Sequence, residues 1–243
     1  MPRFFVDSVE SDTIEITGGD ARHIALSLRM RTGEHLVLCD GNGREADCEI
    51  KEICPESVVL SVVSRCDSKA EPKTKVVLYQ ALPKFDKFEY IVQKSVELGV
   101  SKIVPVLTSR CISRPDEKTM AKKIERLQKI ADEAAKQSGR GKLPEVSGLL
   151  SFKNAVKEMS GFELPLMFFE HGEIPLREYM EDGNGKTIAV FIGAEGGFSD
   201  DEAKFAEENG IHTVSLGPRI LRCETAPIAA VSAIMYATRE MEV

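Results

Sequence analysis

The 243-residue chain contains no tryptophan and only four histidines, His23, His35, His171 and His212. Its six cysteines, Cys39, Cys48, Cys54, Cys66, Cys111 and Cys223, form no CxxC pair. With neither paired cysteines nor clustered histidines, no metal site is expected and the thiols are expected to be free. No stretch approaches the roughly 20 apolar residues of a membrane-spanning helix. The opening MPRFFVDSVESD has no apolar signal core. These absences point to a cytoplasmic protein without membrane or metal partners. Repeats and low-complexity tracts are also lacking. GxxxxGK[ST] is missing, and no GxGxxG opens a first strand–helix unit, so neither a P-loop nor an ordinary dinucleotide fold is expected.

What charge there is lies unevenly. The net charge is −7, which by itself argues against a nucleic-acid partner. Residues 1–70 hold 8 basic and 13 acidic side chains, residues 71–162 hold 18 and 11, and residues 163–243 hold 6 and 15. A basic middle between acidic ends can form an RNA-facing surface if it folds onto one side; lysine-rich solvated helix faces are the plainer explanation.

The hydrophobic pattern divides the chain in two. Residues 1–70 read as short strands, Arg3–Val6, Thr13–Ile16, His35–Leu38, Glu45–Ile53 and Ser57–Ser64, with a short helix from Gly19-Asp20 through Leu28. Asp40-Gly41-Asn42-Gly43 is a hairpin turn, since Gly and Asn accept positive φ. The polar, proline-bearing Ser68–Lys73 reads as a linker. From residue 74 to 243 strands and helices alternate. Strands are expected at Val76–Gln80, Lys102–Leu107, Val146, Pro165–Phe169, Ile188–Ile192 and Thr213–Leu216. Helices are expected at Asp86–Leu98 (stopped by Gly99), Asp116–Ser138, Ser151–Met159, Asp200–Asn209 (capped by Ser199) and Thr225–Arg239 (capped by Thr225). Such alternation implies an α/β domain with a parallel sheet covered by helices on both faces.

Two of these strands run straight into glycine-bearing loops, Gly193-Ala194-Glu195-Gly196-Gly197 and Gly217-Pro218-Arg219-Ile220-Leu221-Arg222. Glycines there let backbone groups approach a ligand closely, and loops at strand carboxyl ends are where open α/β sheets bind ligands. A plain turn is the alternative. Arg219, Arg222 and Glu224 crowd three charges beside the second loop, which requires solvation, pairing or a ligand. The small, apolar Ile228–Ile234 suits close packing against another element or subunit.

IGAEGGFSDDE followed by LGPRILRCETA resembles the two signature loops of the RsmE family, SPOUT-superfamily methyltransferases of 16S ribosomal RNA. QALPKFDKFEYIVQKSVELGVSKIVPVLTSRC resembles the family's first strand–helix–strand unit. RLQKIADEAAKQSGRGKLPEV resembles its long helix and QSxR turn. PRFF and the run His23, Leu28-Arg29-Met30, Gly33 resemble its N-terminal PUA-like β domain. The family usually has proline at Ala194, glycine at Phe85 and tryptophan at Leu127.

The resemblance implies a SPOUT parallel sheet with a C-terminal trefoil knot and a small PUA-like β-barrel. It implies methylation of uridine N3 in 16S ribosomal RNA of the small subunit, with S-adenosyl-L-methionine as cofactor, by a homodimer whose site is completed across the interface. Carried over residue by residue, the cofactor site comprises Phe169, Glu170, Ile192, Gly193, Ala194, Glu195, Gly196, Gly197, Leu216, Gly217, Arg219, Ile220, Leu221 and Thr225. Arg222 is expected to stabilise the uracil anion, with Glu224 orienting it or accepting the N3 proton. Because N3 is occupied in Watson–Crick pairing, the target is expected to be single-stranded or flipped out. Candidate RNA-gripping residues are Arg3, Arg22, His23, Arg29, Arg31, Lys84, Lys87, Arg110, Arg114 and Arg140. A non-catalytic RNA-binding protein and a SPOUT enzyme acting on a ribose 2′-hydroxyl are the alternatives.

Overall fold

The structure is a computed structural model describing residues 1–180 and 183–242. It divides into two compact units, Met1–Glu71 with Ala135–Leu143, and Pro72–Ala134 with the remainder from Pro144.

The first unit is built from β1 (Arg3–Phe5), β2 (Thr13–Thr17), α1 (Gly18–Arg22), β3 (His35–Cys39), β4 (Arg44–Ile53) and β5 (Ser57–Asp67). Its sheet has the order β1-β3-β4-β5-β2. Among the described residues β1 pairs only with β3 and β2 only with β5, so the sheet is a curled half-barrel, in keeping with the expected small PUA-like β domain. Register shifts at Asp47/Cys48 and Ile50/Glu52 supply the bend. The β3–β4 turn forms where expected: Gly41 and Gly43 take φ of 73° and 105°. The Asp40 carboxylate accepts from the backbone N–H groups of Asn42 (2.8 Å) and Arg44 (3.0 Å). The helix after β2 is a single α turn that continues as a π-helical turn, His23–Ser27. Phe4, Ile24, Leu36, Leu38, Ile50 and Leu60 fill the concave side.

Glu71, inside the stretch expected to be a linker, is an anchor. Its carboxylate lies 2.9 Å from the Arg140 guanidinium and accepts from the backbone N–H groups of Gly141 and Lys142, each at 3.0 Å. Burial works against ionisation, but Arg140 and the two N–H groups prevail and hold the Glu71 carboxyl below the usual carboxylate range.

The second unit contains β6 (Lys75–Ala81), α2 (Lys87–Glu97), β7 (Lys102–Leu107), α3 (Glu117–Ser138), β8 (Glu145–Val146), β9 (Leu150–Ser151) and α4 (Phe152–Met159). It continues with β10 (Leu164–Phe168), β11 (Ile174–Pro175), β12 (Thr187–Ile192), α5 (Asp200–Glu208), β13 (His212–Ser215) and α6 (Thr225–Ala237). The last residues of α3, from Ala135, group with the first unit. The described strands form one parallel sheet, β11-β13-β10-β12-β6-β7-β8, with β9 also on β7. β10 is buried throughout, as are β6 and β12 beyond their first residues. That is the mark of a parallel sheet covered on both faces, and it explains their continuous apolar runs. On one face Tyr79, Phe152, Phe191 and Phe198 form an aromatic cluster, Phe191 and Phe198 meeting edge to face at 4.7 Å.

Local signals set the helix ends. α2 buries Phe88, Ile91, Val92 and Val96 at helical spacing, and Gly99 follows it at φ 97°. Ser199 and Glu202 form a reciprocal capping box on α5, an arrangement worth about 1 kcal/mol. Thr225 does not cap α6 as expected: it is the first helical residue, and Glu224 occupies the cap position without a side-chain cap bond.

Candidate functional site

Three adjacent parallel strands, β13, β10 and β12, end at the same edge of the sheet. A cavity of about 710 Å³ opens there, lined by 168–170, 192–195, Gly197 and 214–223, together with Lys87, Gly172, Glu173, Pro175 and Ala226. Its size suits a small-molecule site.

Glycine shapes the walls by necessity. A side chain at Gly172 would meet the Val214 backbone carbon at 2.8 Å, and one at Gly193 would meet the Gly197 backbone at 3.0 Å. These loops close backbone against backbone, leaving bare peptide groups at the cavity wall. In the second loop Gly217 takes φ 95°. The peptide N–H groups of Arg219, Ile220 and Leu221 find no protein partner among the described residues. A cavity lined by these unpaired peptide donors, by Glu170 and Glu195, and by apolar Ile192 and Leu216 fits S-adenosylmethionine. The donors suit purine nitrogens, and the carboxylates suit ribose hydroxyls and positive charge.

Of the expected cofactor residues, Phe169, Glu170, Ile192, Gly193, Ala194, Glu195, Gly197, Leu216, Gly217, Arg219, Ile220 and Leu221 line this cavity, whereas Gly196 and Thr225 do not. Gly196 turns its carbonyl to Arg110, whose Nη1 donates to it at 2.8 Å. Thr225 has entered α6.

Arg222 lines the cavity, is exposed, and has no side-chain partner among the described residues. Glu224 is not paired with it. The Glu224 carboxylate is held by Lys87 Nζ at 3.1 Å and accepts from the Cys223 thiol at 3.1 Å. Lys87 also lies 3.2 Å from Glu195, so one ammonium joins both loops. Partial burial would raise the Glu224 carboxyl, but the Cys223 thiol, a backbone N–H and Lys87 together hold it below the usual carboxylate range. A carboxylate so stabilised is a poor proton acceptor, which turns Glu224 from a base into a brace. Lys87 is held above the ordinary lysine value, first by Glu224 and then by Glu195. The Cys223 thiol is pushed up to about 12 by burial and by its bond to Glu224, so it stays protonated.

The cations expected to grip RNA separate into two sorts. Arg22, His23, Arg29 and Arg31 are exposed on the first unit, and Arg110 and Arg114 on the second, with Lys84 half-buried. Arg3, Lys87 and Arg140 are taken up by the fold: Arg3 by Glu45 and Cys39, Lys87 by the two loops, and Arg140, 4% exposed, by Glu71. A guanidinium buried on a carboxylate presents no charge to a phosphate. Sequence reasoning put Lys87 among the RNA-gripping cations and not at the cofactor site, and it missed Gly172 and Cys223. Lys87 lies 136 residues from Cys223 in the chain, and no local pattern relates them.

A parallel α/β unit with a cofactor-sized cavity at its strand ends, and a separate small β unit, fit an RNA methyltransferase with an accessory PUA domain. The family model described as an RNA methyltransferase domain matches residues 70–235, and that of an RNA methyltransferase PUA domain matches residues 16–63. The chain belongs to the ribosomal RNA small subunit methyltransferase E family. It is 36% identical to the Bacillus subtilis enzyme of that name, over 98% of this chain and 97% of that one. The structure of the Neisseria gonorrhoeae ribosomal RNA small subunit methyltransferase E bound to S-adenosylmethionine superposes with a TM-score of 0.88 at 31% identity, over 97% of each chain. A Legionella pneumophila protein in complex with the same cofactor gives 0.86 at 32%, also over 97% of each.

Proposed function

We propose that this protein methylates uridine N3 in 16S ribosomal RNA of the small subunit, using S-adenosyl-L-methionine. The observation that carries this reading is the 710 Å³ cavity. Its peptide-lined loops accept the cofactor, and its edge holds an unpaired arginine, in a chain of a ribosomal RNA methyltransferase family.

The bound cofactor supplies an activated methyl electrophile. The chain's own residues supply the rest. Arg219, Ile220 and Leu221 would offer peptide N–H groups to the adenine, and Glu170 and Glu195 would accept from the ribose and offset positive charge. Arg222, free to turn toward a uracil carbonyl, would stabilise the anion left when N3 gives its proton to solvent, and N3 then takes the methyl group. Glu224 and Lys87 keep the Arg222 loop in register with the Gly193–Gly197 loop. The exposed cations of each unit grip the RNA backbone without reading sequence.

The assembly is a cytoplasmic homodimer on this reading. α2 and α6 pack together and expose Tyr90 (48%) and Tyr236 (77%), an apolar surface suited to a second copy. The strand order supports a C-terminal knot. β13 lies outside β10, whereas α6 packs on β12 and β6, so residues 216–224 recross the sheet edge.

Calorimetry with S-adenosylmethionine, together with transfer of a labelled methyl group to small-subunit RNA, tests the proposal. Cofactor binding and label in RNA are expected; a protein that binds no cofactor would overturn it.

A further inference from the structure

Among the described residues, Phe85 and Ile220 are the two most exposed large apolar residues of the second unit, and of the two only Phe85 is aromatic. Its side chain is 83% exposed, and its backbone is in the left-handed region at φ 56°. A bulky residue there is strained, while glycine would hold the same turn without strain. The turn is held to the cavity: the backbone N–H of the preceding residue, Lys84, donates to the Glu195 carboxylate at 3.1 Å. Arg110, in the loop after β7, donates to the Gly196 carbonyl and lies 3.9 Å from Glu170, with its side chain 43% exposed. The exposed ring thus sits one residue beyond a backbone N–H bonded to the cavity-lining Glu195, with Lys84 and Arg110 both tied to the Gly193–Gly197 loop and Asp86 next in sequence.

We infer that Phe85 is a stacking platform for a nucleobase of the substrate RNA, the one neighbouring the base being methylated, and so helps determine which RNA is accepted. This rests on RNA being the substrate. Base faces stack on exposed aromatic rings without needing a pocket, and a ring this open offers a face and no enclosure. The target base must enter the cavity, so the ring beside it meets its neighbour. Lys84 and Arg110 are placed to take the adjoining phosphates. A subunit contact is the competing use for an exposed ring, but the two cations tied to the Gly193–Gly197 loop favour a polyanion.

The chain's lack of tryptophan makes the test direct. Phe85→Gly relieves backbone strain, so thermal stability is expected to be unchanged or higher and cofactor affinity unchanged. The KM for 16S RNA is expected to rise at least about fivefold, the lower end of what one base–aromatic stack is worth. Phe85→Trp installs the sole indole, whose fluorescence is expected to be quenched by 16S RNA. An unchanged KM in Phe85→Gly, beside a wild type that methylates RNA, overturns the inference. So does an unquenched indole while filter binding shows RNA bound, or a fall in sedimenting mass in Phe85→Gly, which assigns the ring to a subunit contact. If the wild type transfers no methyl group, the proposed function fails, and the quenching arm still decides whether Phe85 meets RNA.

Discussion

The Lys87 ammonium lies 3.1 Å from the Glu224 carboxylate, at the back of the Arg222 loop. The same nitrogen reaches Glu195 in the other loop at 3.2 Å. Replacing it with methionine removes the only link between the two loops that uses one side chain for both, among the described residues. Lys87→Met is expected to weaken cofactor affinity several-fold, with Lys87→Arg recovering part of it. The pH dependence follows from sign. Glu195 and Glu224 are held below their ordinary value, despite a partial-burial effect in the other direction. Their contribution to stability is therefore complete above the ordinary carboxylate value and lost as pH falls through the lowered ones. Lys87 is raised, so its share is lost only above the ordinary lysine range. Thermal melts from pH 3 to 7 should show a shallower acid limb in Lys87→Met than in wild type. Superimposable limbs would show that Lys87 does not stabilise the two loops through their carboxylates.

Arg222 is the side chain through which the chemistry is most exposed to test. Loss of one donor to a developing anion typically costs about a hundredfold or more in kcat. Arg222→Ala is expected to lose that much with cofactor affinity retained, and Arg222→Lys to retain more. Glu224→Gln keeps a partner for Lys87 and should retain most turnover, because Glu224 is a brace. A Glu224→Gln variant as inactive as Arg222→Ala would restore Glu224 as the proton acceptor.

Glu71 and Arg140 form a buried pair in the first unit, 2.9 Å apart. Removing one partner of such a pair leaves the other charge buried, at a cost of about 3–5 kcal/mol. Glu71→Ala should lower chemical-denaturation stability by about that amount. In wild type the lowered Glu71 carboxyl gives stability that is present above the ordinary carboxylate value and fades as pH falls through the lowered one. Equal stabilities at pH 7 would show that the pair contributes nothing.

Much of this was legible in the chain because the signals were local. The apolar runs of β6, β10 and β12, the Ser199 cap, the Gly99 stop and the Asp40–Gly43 turn each depend on neighbours within a few residues. β11 was not legible, since a two-residue strand has no period. Glu71 read as linker and Arg140 as a surface cation because their burial comes from one another, 69 residues apart. The glycine loops were visible as a ligand site, and the resemblance named the ligand. That Glu224 answers to Lys87 rather than to Arg222 is a tertiary fact with no counterpart in spacing.

The central claim is tested most directly by mass-spectrometric mapping of modified nucleosides in 16S ribosomal RNA from cells lacking the protein, before and after incubation with the purified protein and S-adenosylmethionine. The account predicts that N3-methyluridine is missing from that RNA and restored by wild type but not by Arg222→Ala. N3-methyluridine present at the wild-type level in the deletion strain, or a restored methyl group on a ribose hydroxyl, would contradict it.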